Sequence, residues 1–390
     1  MFNLMNEVLE EKSAVHTARE IYQQPEVWQE LFYMLSEKRD TLKGFLDSIY
    51  AKHSQVRVIF TGAGTSAFAG DTLVPELRRQ NKKNINFEAI ATTDIVSNPT
   101  TYLFAESPTI MVSFARSGNS PESVAAVSLG EKLINDFYQV VITCNQNGQL
   151  AKNTQNDSRS MTVLTPEKAH DQGFAMTSSF TSMIIAAHTL FAENEFTISE
   201  AEQLIESATE LRDTVTGTVD DVLKFDFNRI VYLGSGLLSQ LSHEASLKML
   251  ELSGGQVAAI HESSLGFRHG PKSILNEKSV TVLFMSRDPH TRKYDLDILR
   301  ELAADDSEMK VVALTEKKDQ EVEDLADYTI TVNNNEETLG NDFQLALLYI
   351  MFAQTLALKK SLQLGITPDN PSPDGRVNRV VQGVTIYDYE

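Results

Sequence analysis

The most regular feature of the chain is a series of short apolar segments that alternate with longer segments of amphipathic, helical spacing. The first apolar segment covers residues 56–60, and others follow near 85–91, 109–114, 139–144 and 160–164. Apolar strands that alternate with helices are typical of a parallel sheet whose two faces are covered by helices. The pattern therefore predicts an α/β fold.

The same series of segments occurs a second time further along the chain. The turn that contains Gly62 returns at Gly234, 172 positions later, after an apolar segment of similar length. Two further segments, at 282–287 and 311–315, follow their counterparts in the first half at nearly the same offset. Blocks that recur in the same order and at near-constant spacing indicate two copies of one α/β unit.

The repeat predicts three parts: a helical arm at 1–50, a first domain at 51–215 and a second domain at 216–390. An acidic helix at 198–212 is expected to precede the join between the two domains. The chain from residue 365 onward is rich in Pro, Asn and Gly, so it is predicted to form an irregular tail over the surface.

Composition and charge exclude several classes of partner. The chain has 390 residues, of which 42% are hydrophobic and 23% are charged, as expected of a globular protein with a large core. Its formal net charge of -20 argues against nucleic acid or an anionic membrane as partner, because both require a basic surface. The only cysteine, Cys144, excludes a disulfide within the chain and a cysteine metal cluster.

No targeting or membrane segment is recognised in the sequence. The first twelve residues are charged and lack the apolar core of a signal peptide. The longest apolar run, at 345–353, is too short to cross a bilayer. These features predict a cytoplasmic protein with no membrane partner.

The stretch 243–271 carries the most distinctive side chains. Its first half has helical spacing, so Glu244, Lys248 and Glu251 are expected to share one face over two turns. Gly254 and Gly255 are predicted to end this helix.

A loop is then expected to return His261, Glu262 and His269 to the same region, before Gly270 and Pro271 fix the chain. Carboxylates, an ammonium group and imidazoles are what proton transfer on a sugar requires. A salt-bridged surface helix followed by a polar loop accounts for the same spacing, and this alternative stays open here. His243 is interpreted as structural.

Three loops at predicted strand ends are suited to an anion, at 62–66, 116–120 and 173–179. Ligands of parallel α/β sheets bind at these ends, and the start of a helix offers unpaired amides and partial positive charge. A helix-capping turn is the simpler explanation of the first loop taken alone. The candidate phosphate-binding residues are Gly64, Thr65, Ser66, Arg116, Ser117, Ser120 and Thr177.

The second copy lacks this chemistry at the equivalent loop. Residues 285–290 carry Asp288, whose carboxylate would repel a phosphate group. We therefore expect the first copy to bind the anion and the second copy to supply the acid and base groups.

These motifs resemble those of the double sugar isomerase (SIS) domain family over nearly the whole chain. The resemblance rests on the turn at 62–66, on the loop at 116–120, and on the Glu244, Lys248 and Glu251 spacing followed by the sequence RHGP at 268–271. Within the family, the segments at 20–28, 92–99 and 368–384 resemble those of the galactosamine-6-phosphate deaminase/isomerase subgroup. The resemblance implies two tandem SIS domains, each a flavodoxin-like three-layer sandwich.

The resemblance also implies roles for individual residues. The loop from Ser117 to Ser120 would hold the sugar phosphate, and Glu251 would move a proton between C1 and C2. His269 would assist ring opening from the neighbouring subunit, with Glu244 and Lys248 lining the site. A homodimer or higher homo-oligomer, with the site at the subunit interface, is therefore expected.

Two departures from the related glucosamine-6-phosphate synthases bear on the reaction. The chain lacks the N-terminal nucleophilic cysteine of their glutaminase half, and its tail at 377–382 lacks the lysine that reaches their substrate carbonyl. Both departures fit the loss of free ammonia to water.

The hypothesis is a deaminating aldose-ketose isomerase that converts galactosamine 6-phosphate and water to tagatose 6-phosphate and ammonia, without a cofactor or metal. A plain ketose-aldose isomerase of ketohexose phosphates, a sugar-phosphate deglycase, and a non-catalytic sugar-phosphate sensor remain as alternatives.

Overall fold

The computed structural model describes residues 1–81, 84–305, 307–381 and 383–390. These residues form two compact units, each built from separate parts of the chain. The first-sheet unit comprises residues 26–171, 178–196 and 374–390, and the second-sheet unit comprises residues 1–25, 172–177 and 197–373. Because each unit is discontinuous in sequence, it does not test the linear boundaries predicted at 50/51 and 215/216, and these stay predictions.

Strands and helices alternate through most of the described chain. The strands are β1 (Val56–Thr61), β2 (Ile85–Ala89), β3 (Thr109–Ala115), β4 (Phe137–Thr143), β5 (Ser160–Leu164), β6 (Arg229–Gly234), β7 (Ala258–Ser263), β8 (Ser279–Phe284), β9 (Lys310–Thr315) and β10 (Tyr328–Thr331). The helices are α1 (Asn6–Glu11), α2 (Val15–Tyr22), α3 (Gln24–Tyr50), α4 (Thr65–Gln80), α5 (Thr92–Ser97), α6 (Pro99–Tyr102), α7 (Pro121–Leu133), α8 (Gln149–Asn153), α9 (Ser178–Phe191), α10 (Ile198–Leu223), α11 (Leu237–Leu252), α12 (Thr291–Ala304), α13 (Gln320–Leu325) and α14 (Asp342–Gln363).

Each unit contains one wholly parallel sheet of five strands. The order is β2-β1-β3-β4-β5 in the first-sheet unit and β10-β9-β8-β6-β7 in the second-sheet unit. Numbered within each copy, both orders are 2-1-3-4-5, which is the order of flavodoxin-like sheets. The predicted α/β fold with two copies of one unit is confirmed.

The two faces of the first sheet pack against different helices. On one face, Ile59 and Met111 join a cluster with Ile95 of α5 and residues of α7. On the other face, Phe60 stacks on a neighbouring strand's phenylalanine and meets Phe191 of α9 with ring centroids 5.2 Å apart. Successive residues of a strand point to opposite faces, so this alternation produces the predicted three layers.

Two strands were not predicted from the sequence, and both lie at edges of the second sheet. The stretch 258–263 was expected to be loop, but it forms β7 and pairs with β6 along its length. Its sequence, AAIHES, is only partly buried, so it lacks the apolar run by which the inner strands are recognised. The edge strand β10 has only four residues, and it is likewise half-polar and partly buried.

Two helices differ in length from the sequence expectation. The helix predicted at 198–212 continues to Leu223, because its apolar stripe persists through Val215, Val219 and Val222. Helix α14 extends well beyond the apolar run at 345–353. It is long and apolar enough to cross a membrane by length and composition alone, but 89% of that stretch is buried inside the protein, as in a core helix.

The turn after the first strand of each copy has the same backbone geometry. Gly64 has φ 56° and ψ -130°, and Gly236 has φ 59° and ψ -128°. A side chain at Gly62 would lie 2.5 Å from Ser66, and one at Gly234 would lie 2.6 Å from the backbone of Leu238. The duplication therefore preserves a turn in which the strand end and the following helix are in direct contact.

We expect Gly62→Ala to lower the free energy of unfolding by about 1–3 kcal/mol, because the added methyl group would force the helix away from the strand. Chemical denaturation measures this change. The control is Gly44→Ala in α3, where a Cβ meets nothing within 4 Å. Alanine there should be neutral or stabilising by up to about 1 kcal/mol. Equal effects of the two substitutions would contradict the close contact.

Candidate active site

The loops after β1 and β3 lie side by side at the carboxyl ends of two hydrogen-bonded strands. In the order 2-1-3-4-5, the chain leaves β1 and β3 toward opposite sides of the sheet, and flavodoxin-like proteins bind their ligand at this switch point. The first loop contains Gly64, Thr65 and Ser66, and both hydroxyl residues are buried at the start of α4. The loop is anchored by Thr92, whose amide and hydroxyl both donate to the Gly62 carbonyl.

The second loop, 116–120, is fixed by the loop that follows β4. The Asn145 side-chain amide donates to the Ser117 carbonyl at 2.8 Å. Gly148 approaches Gly118 so closely that a Cβ there would lie 2.5 Å from the Ser117 carbonyl oxygen. The Ser117 hydroxyl accepts from the Asn119 amide at 3.3 Å, and the Ser120 hydroxyl donates to Glu122. These contacts hold both hydroxyls at the start of α7.

Arg116 enters this loop as a buried cation, with 8% of its surface exposed. Its guanidinium donates to the backbone carbonyl of Arg379 at 2.8 Å. Arg379 in turn donates to the carbonyl of Asp171. The C-terminal segment therefore contacts this loop within the first-sheet unit.

The third predicted loop, 173–179, is already engaged by the chain's own carboxylates. Asp171 accepts hydrogen bonds from the amides of Ser178 and Ser179 and from the Ser179 hydroxyl. The start of α9 therefore has a carboxylate where an anion was expected. Thr177, the residue immediately before α9, is fully buried.

The predicted face of α11 is an ion triad inside the second-sheet unit. Lys248 and Glu244 are fully buried, with their charged atoms 3.3 Å apart. Lys248 also contacts the Glu251 carboxylate at 2.5 Å, and 22% of the Glu251 side chain remains exposed. The alternative of a solvated surface face is therefore wrong.

Burial by itself would lower the pKa of Lys248, but the charges of Glu244 and Glu251 outweigh it and raise the pKa above its ordinary value. The lysine is consequently held as an ammonium ion between two carboxylates.

The histidines of this region occupy different environments. His243 of α11 and His261 of β7 stack with ring centroids 3.9 Å apart and an interplanar angle of 15°. Burial, together with the neighbouring His261, lowers the pKa of His243 to about 4. Burial also lowers the pKa of His261, although the Glu262 carboxylate opposes this change.

His269 lies apart from these groups in a short helical turn, Gly266–His269, and its side chain is exposed. Within the described ranges, no hydrogen bond or ion pair joins it to Glu251. The next residue, Gly270, has φ 125°, a conformation that favours glycine. The adjacent Arg268 is held by Glu301 and Asp297 of α12.

The corresponding crevice of the second copy is filled by a buried aspartate. Asp295 accepts hydrogen bonds from Ser235 after β6, from Ser264 after β7 and from the Ser286 amide after β8. Burial raises the pKa of Asp295, although these three donors partly offset the effect. Asp288 accepts from two amides at the start of α12. The Asp295 carboxylate thus lies at the position that corresponds to the anion-binding loops predicted in the first copy.

Sequence analysis did not single out Asp171, His170, Asp295 or Arg379. Each acts through partners that are distant in sequence, so no local spacing marks it.

Two further observations concern reactive or metal-binding groups. Burial raises the pKa of the Cys144 thiol to about 12, which disfavours the reactive thiolate. Among the described residues, no group of three or more His, Cys, Asp or Glu side chains is arranged to hold a metal ion. The predicted absence of metal and cofactor stays a prediction.

The repeated sheet and the polar loops at its switch point define a duplicated, flavodoxin-like α/β protein. The family model of the SIS domain matches two segments of the chain, residues 52–193 and 225–361. The chain therefore belongs to the SIS domain family, as its motifs predicted.

Relatives of known name match almost the whole chain. D-galactosamine-6-phosphate deaminase AgaS of Shewanella sp. (strain ANA-3) is 42% identical over 99% of this chain and 95% of its own length. The protein of the same name from Escherichia coli is 40% identical over 96% of each chain. The crystal structure of tagatose-6-phosphate ketose/aldose isomerase from Escherichia coli is 37% identical, with a TM-score of 0.87 over 96% of this chain and 97% of that one.

The lowered pKa of His243 predicts a loss of stability in acid. Between pH 6.5 and about 4, the unfolded chain binds this proton more readily than the folded protein does. The free energy of unfolding should therefore fall as pH is lowered through this window, and His243 should contribute no loss above pH 6.5. Chemical denaturation at pH 7 and pH 5 should show a smaller fall in His243→Gln than in the wild type. An equally small fall in the control His290→Gln, whose side chain is exposed, would contradict this assignment.

The buried ion triad predicts a large effect of removing its cation. Lys248→Met should cost about 3–5 kcal/mol of unfolding free energy, because Glu244 is left charged and without its counter-ion in the core. The double variant Lys248→Met/Glu244→Leu should recover much of this loss. Lys224→Met is the control, because that lysine is 77% exposed and pairs with Asp221 at the surface. A loss for Lys248→Met no greater than for Lys224→Met would contradict the burial of the triad.

Proposed function

We propose that this protein is a deaminating aldose-ketose isomerase that converts galactosamine 6-phosphate and water to tagatose 6-phosphate and ammonia. The observation that carries the proposal is the position of the Glu251 carboxylate. It is the member of the buried triad that reaches solvent, and Lys248 holds it at 2.5 Å. Relatives that are 40% and 42% identical over nearly their full length carry the name of this deaminase.

The proton transfer follows from one base that acts at two adjacent carbons. His269 assists the opening of the sugar ring, which exposes the C1 aldehyde. Glu251 removes the proton from C2 while the C1 oxygen takes up a proton from the surroundings, which forms an enaminol. Glu251 then returns its proton to C1, which leaves a protonated imine at C2 whose hydrolysis also releases the proton that was taken up. Water adds to this imine and expels ammonia, so that the C2 ketone of tagatose 6-phosphate remains. Proton transfer and hydrolysis complete the balance without a redox cofactor or metal.

Lys248 is assigned a positioning role in this scheme. Its raised pKa keeps it protonated, and a protonated amine is not a nucleophile toward a carbonyl group. This lysine is therefore not expected to form a covalent adduct with the substrate, and water hydrolyses the substrate imine directly. Its contacts with Glu244 and Glu251 instead fix the orientation of the base.

The phosphate group is assigned to the first copy. Ser117 and Ser120 offer hydroxyls at the start of α7, Arg116 offers a guanidinium, and the loop at 64–66 lies at the neighbouring strand end. A formal net charge of -20 makes such local donors necessary for a dianionic substrate. Thr177 is kept as a candidate ligand, although Asp171 already occupies the adjacent helix start.

We further propose a cytoplasmic homodimer or higher homo-oligomer with its site at the subunit interface. The exposed position of His269 supports this arrangement, because by family resemblance this histidine acts in the neighbouring subunit's site. A residue that serves another copy has to be accessible on its own chain.

A plain ketose-aldose isomerase is the second candidate. The name of the Escherichia coli structure, tagatose-6-phosphate ketose/aldose isomerase, favours it. The same base would move a proton between C1 and C2 of a sugar that carries oxygen instead of nitrogen at C2. Ammonia release distinguishes the two reactions.

The test is ammonia release from galactosamine 6-phosphate by the wild type and by Glu251→Gln. One positioned acid or base contributes about 10²–10⁴ in rate, so the variant should lose at least a hundredfold in kcat. Glu202→Gln, an exposed glutamate of α10, is the matched control and should keep full activity. Glucosamine 6-phosphate and tagatose 6-phosphate are assayed beside it for sugar specificity and plain isomerisation.

Undiminished turnover in Glu251→Gln would refute the mechanism. Wild-type protein that interconverts only ketose and aldose phosphates would establish the second candidate. Binding of these sugars without any turnover would instead identify a sensor.

A further inference from the structure

The C-terminal segment, 374–390, has no helix or strand among its described residues, and it belongs to the first-sheet unit. Two of the hydrogen bonds of Arg379 define its position. Its carbonyl accepts from the Arg116 guanidinium at 2.8 Å, and its own guanidinium donates to the Asp171 carbonyl. Arg379 therefore lies between the loop after β3 and the segment that follows β5.

Two guanidinium groups and an imidazole lie near one another at this place. Burial, then the positive charge of Arg379 and then that of Arg116, lower the pKa of His170, whereas the Asp171 carboxylate opposes this change. Like charges brought together raise the energy of the folded protein. The Asp171 carboxylate, which accepts three hydrogen bonds at the start of α9, offsets part of this charge. A cationic cluster of this kind is stabilised when an anion binds to it.

The chemistry of the cluster fits a phosphate monoester. Such a group carries close to two negative charges at neutral pH and has three acceptor oxygens. Guanidinium groups bind these oxygens in pairs through their planar fork of donors. The hydroxyls of Ser117 and Ser120 belong to the loop that Arg116 begins, so hydroxyl and guanidinium donors are available in one region.

We infer that Arg379 is a second guanidinium ligand of the substrate phosphate, brought to the loop at 116–120 by the C-terminal segment. On binding, its guanidinium exchanges the Asp171 carbonyl for a phosphate oxygen, while its backbone remains bonded to Arg116. The inference rests on the proposed function only for the identity of the sugar, because the phosphate contact does not depend on the reaction.

The same segment contains a matched control. Arg376 lies three residues before Arg379, is 88% exposed and pairs with Asp374 at 3.0 Å. Replacing Arg376 removes one positive charge from the segment without touching the cluster. A difference between the two arginines therefore reports on position and not on net charge.

The first readout is the shift in melting temperature that inorganic phosphate produces, followed by its titration. Hydrogen bonds to charged groups contribute about 1.5–3 kcal/mol, so Arg379→Ala should bind phosphate about tenfold to a hundredfold more weakly. Arg379→Lys should recover part of the affinity, because it restores the charge without the fork, and Arg376→Ala should bind as the wild type does. The ligand-induced shift is the quantity compared, so an altered stability of the free variant does not enter. Wild-type phosphate affinity in Arg379→Ala, or an equal loss in Arg376→Ala, would overturn the inference.

The second readout separates this inference from the proposed function. With galactosamine 6-phosphate, Arg379→Ala should raise KM and leave kcat nearly unchanged, because the phosphate is remote from C1 and C2. If ammonia is released with an unchanged KM, the inference fails and the proposed function stands. If phosphate binding depends on Arg379 but no ammonia is released by the wild type, the inference stands and the proposed function fails.

Discussion

The lysine ammonium of α11 is the constraint to which the second-sheet unit is adapted. A charge without access to solvent is tolerated only when counter-ions accompany it. Lys248 has two, Glu244 at 3.3 Å and Glu251 at 2.5 Å, and they differ in exposure. Glu244 is fully buried and neutralises the lysine, while Glu251 remains partly exposed to solvent. A carboxylate that a buried lysine orients and that solvent can still reach has the properties that a proton-transferring base requires.

Duplication supplied two copies of one scaffold, and the copies then diverged at the same place. Gly64 and Gly236 keep nearly identical backbone angles, so the turn that begins the helix after the first strand is common to both. In the first copy the adjoining loop carries Arg116 and two serines. In the second copy, Asp295 accepts hydrogen bonds from three donors at the strand ends. Its carboxylate therefore occupies the position that an external anion would take. This divergence fits the proposed division, in which the first copy binds the phosphate and the second copy supplies the acid and base groups.

The net charge of the whole chain is negative, whereas the charge gathered at the loop 116–120 is positive. A formal net charge of -20 gives no general attraction for a phosphorylated sugar. Arg116 and Arg379 nevertheless lie together at one end of the first sheet. Such a local concentration of positive charge in an acidic protein selects for ligands by position and geometry, which suits a small anionic substrate better than an extended polyanion.

Local sequence determined much of this molecule, because periodicity and turn chemistry act over a few residues. The inner strands, the glycine turns, the duplication and the common face of Glu244, Lys248 and Glu251 all followed from spacing alone. The edge strand β7 did not, because its half-polar sequence forms a strand only when β6 is beside it. Tertiary structure alone decided that the α11 face is buried, that Asp295 fills the second crevice, and that Arg379 reaches Arg116 from 263 positions away. Contacts of such range depend on how distant elements pack, and no local pattern records that packing.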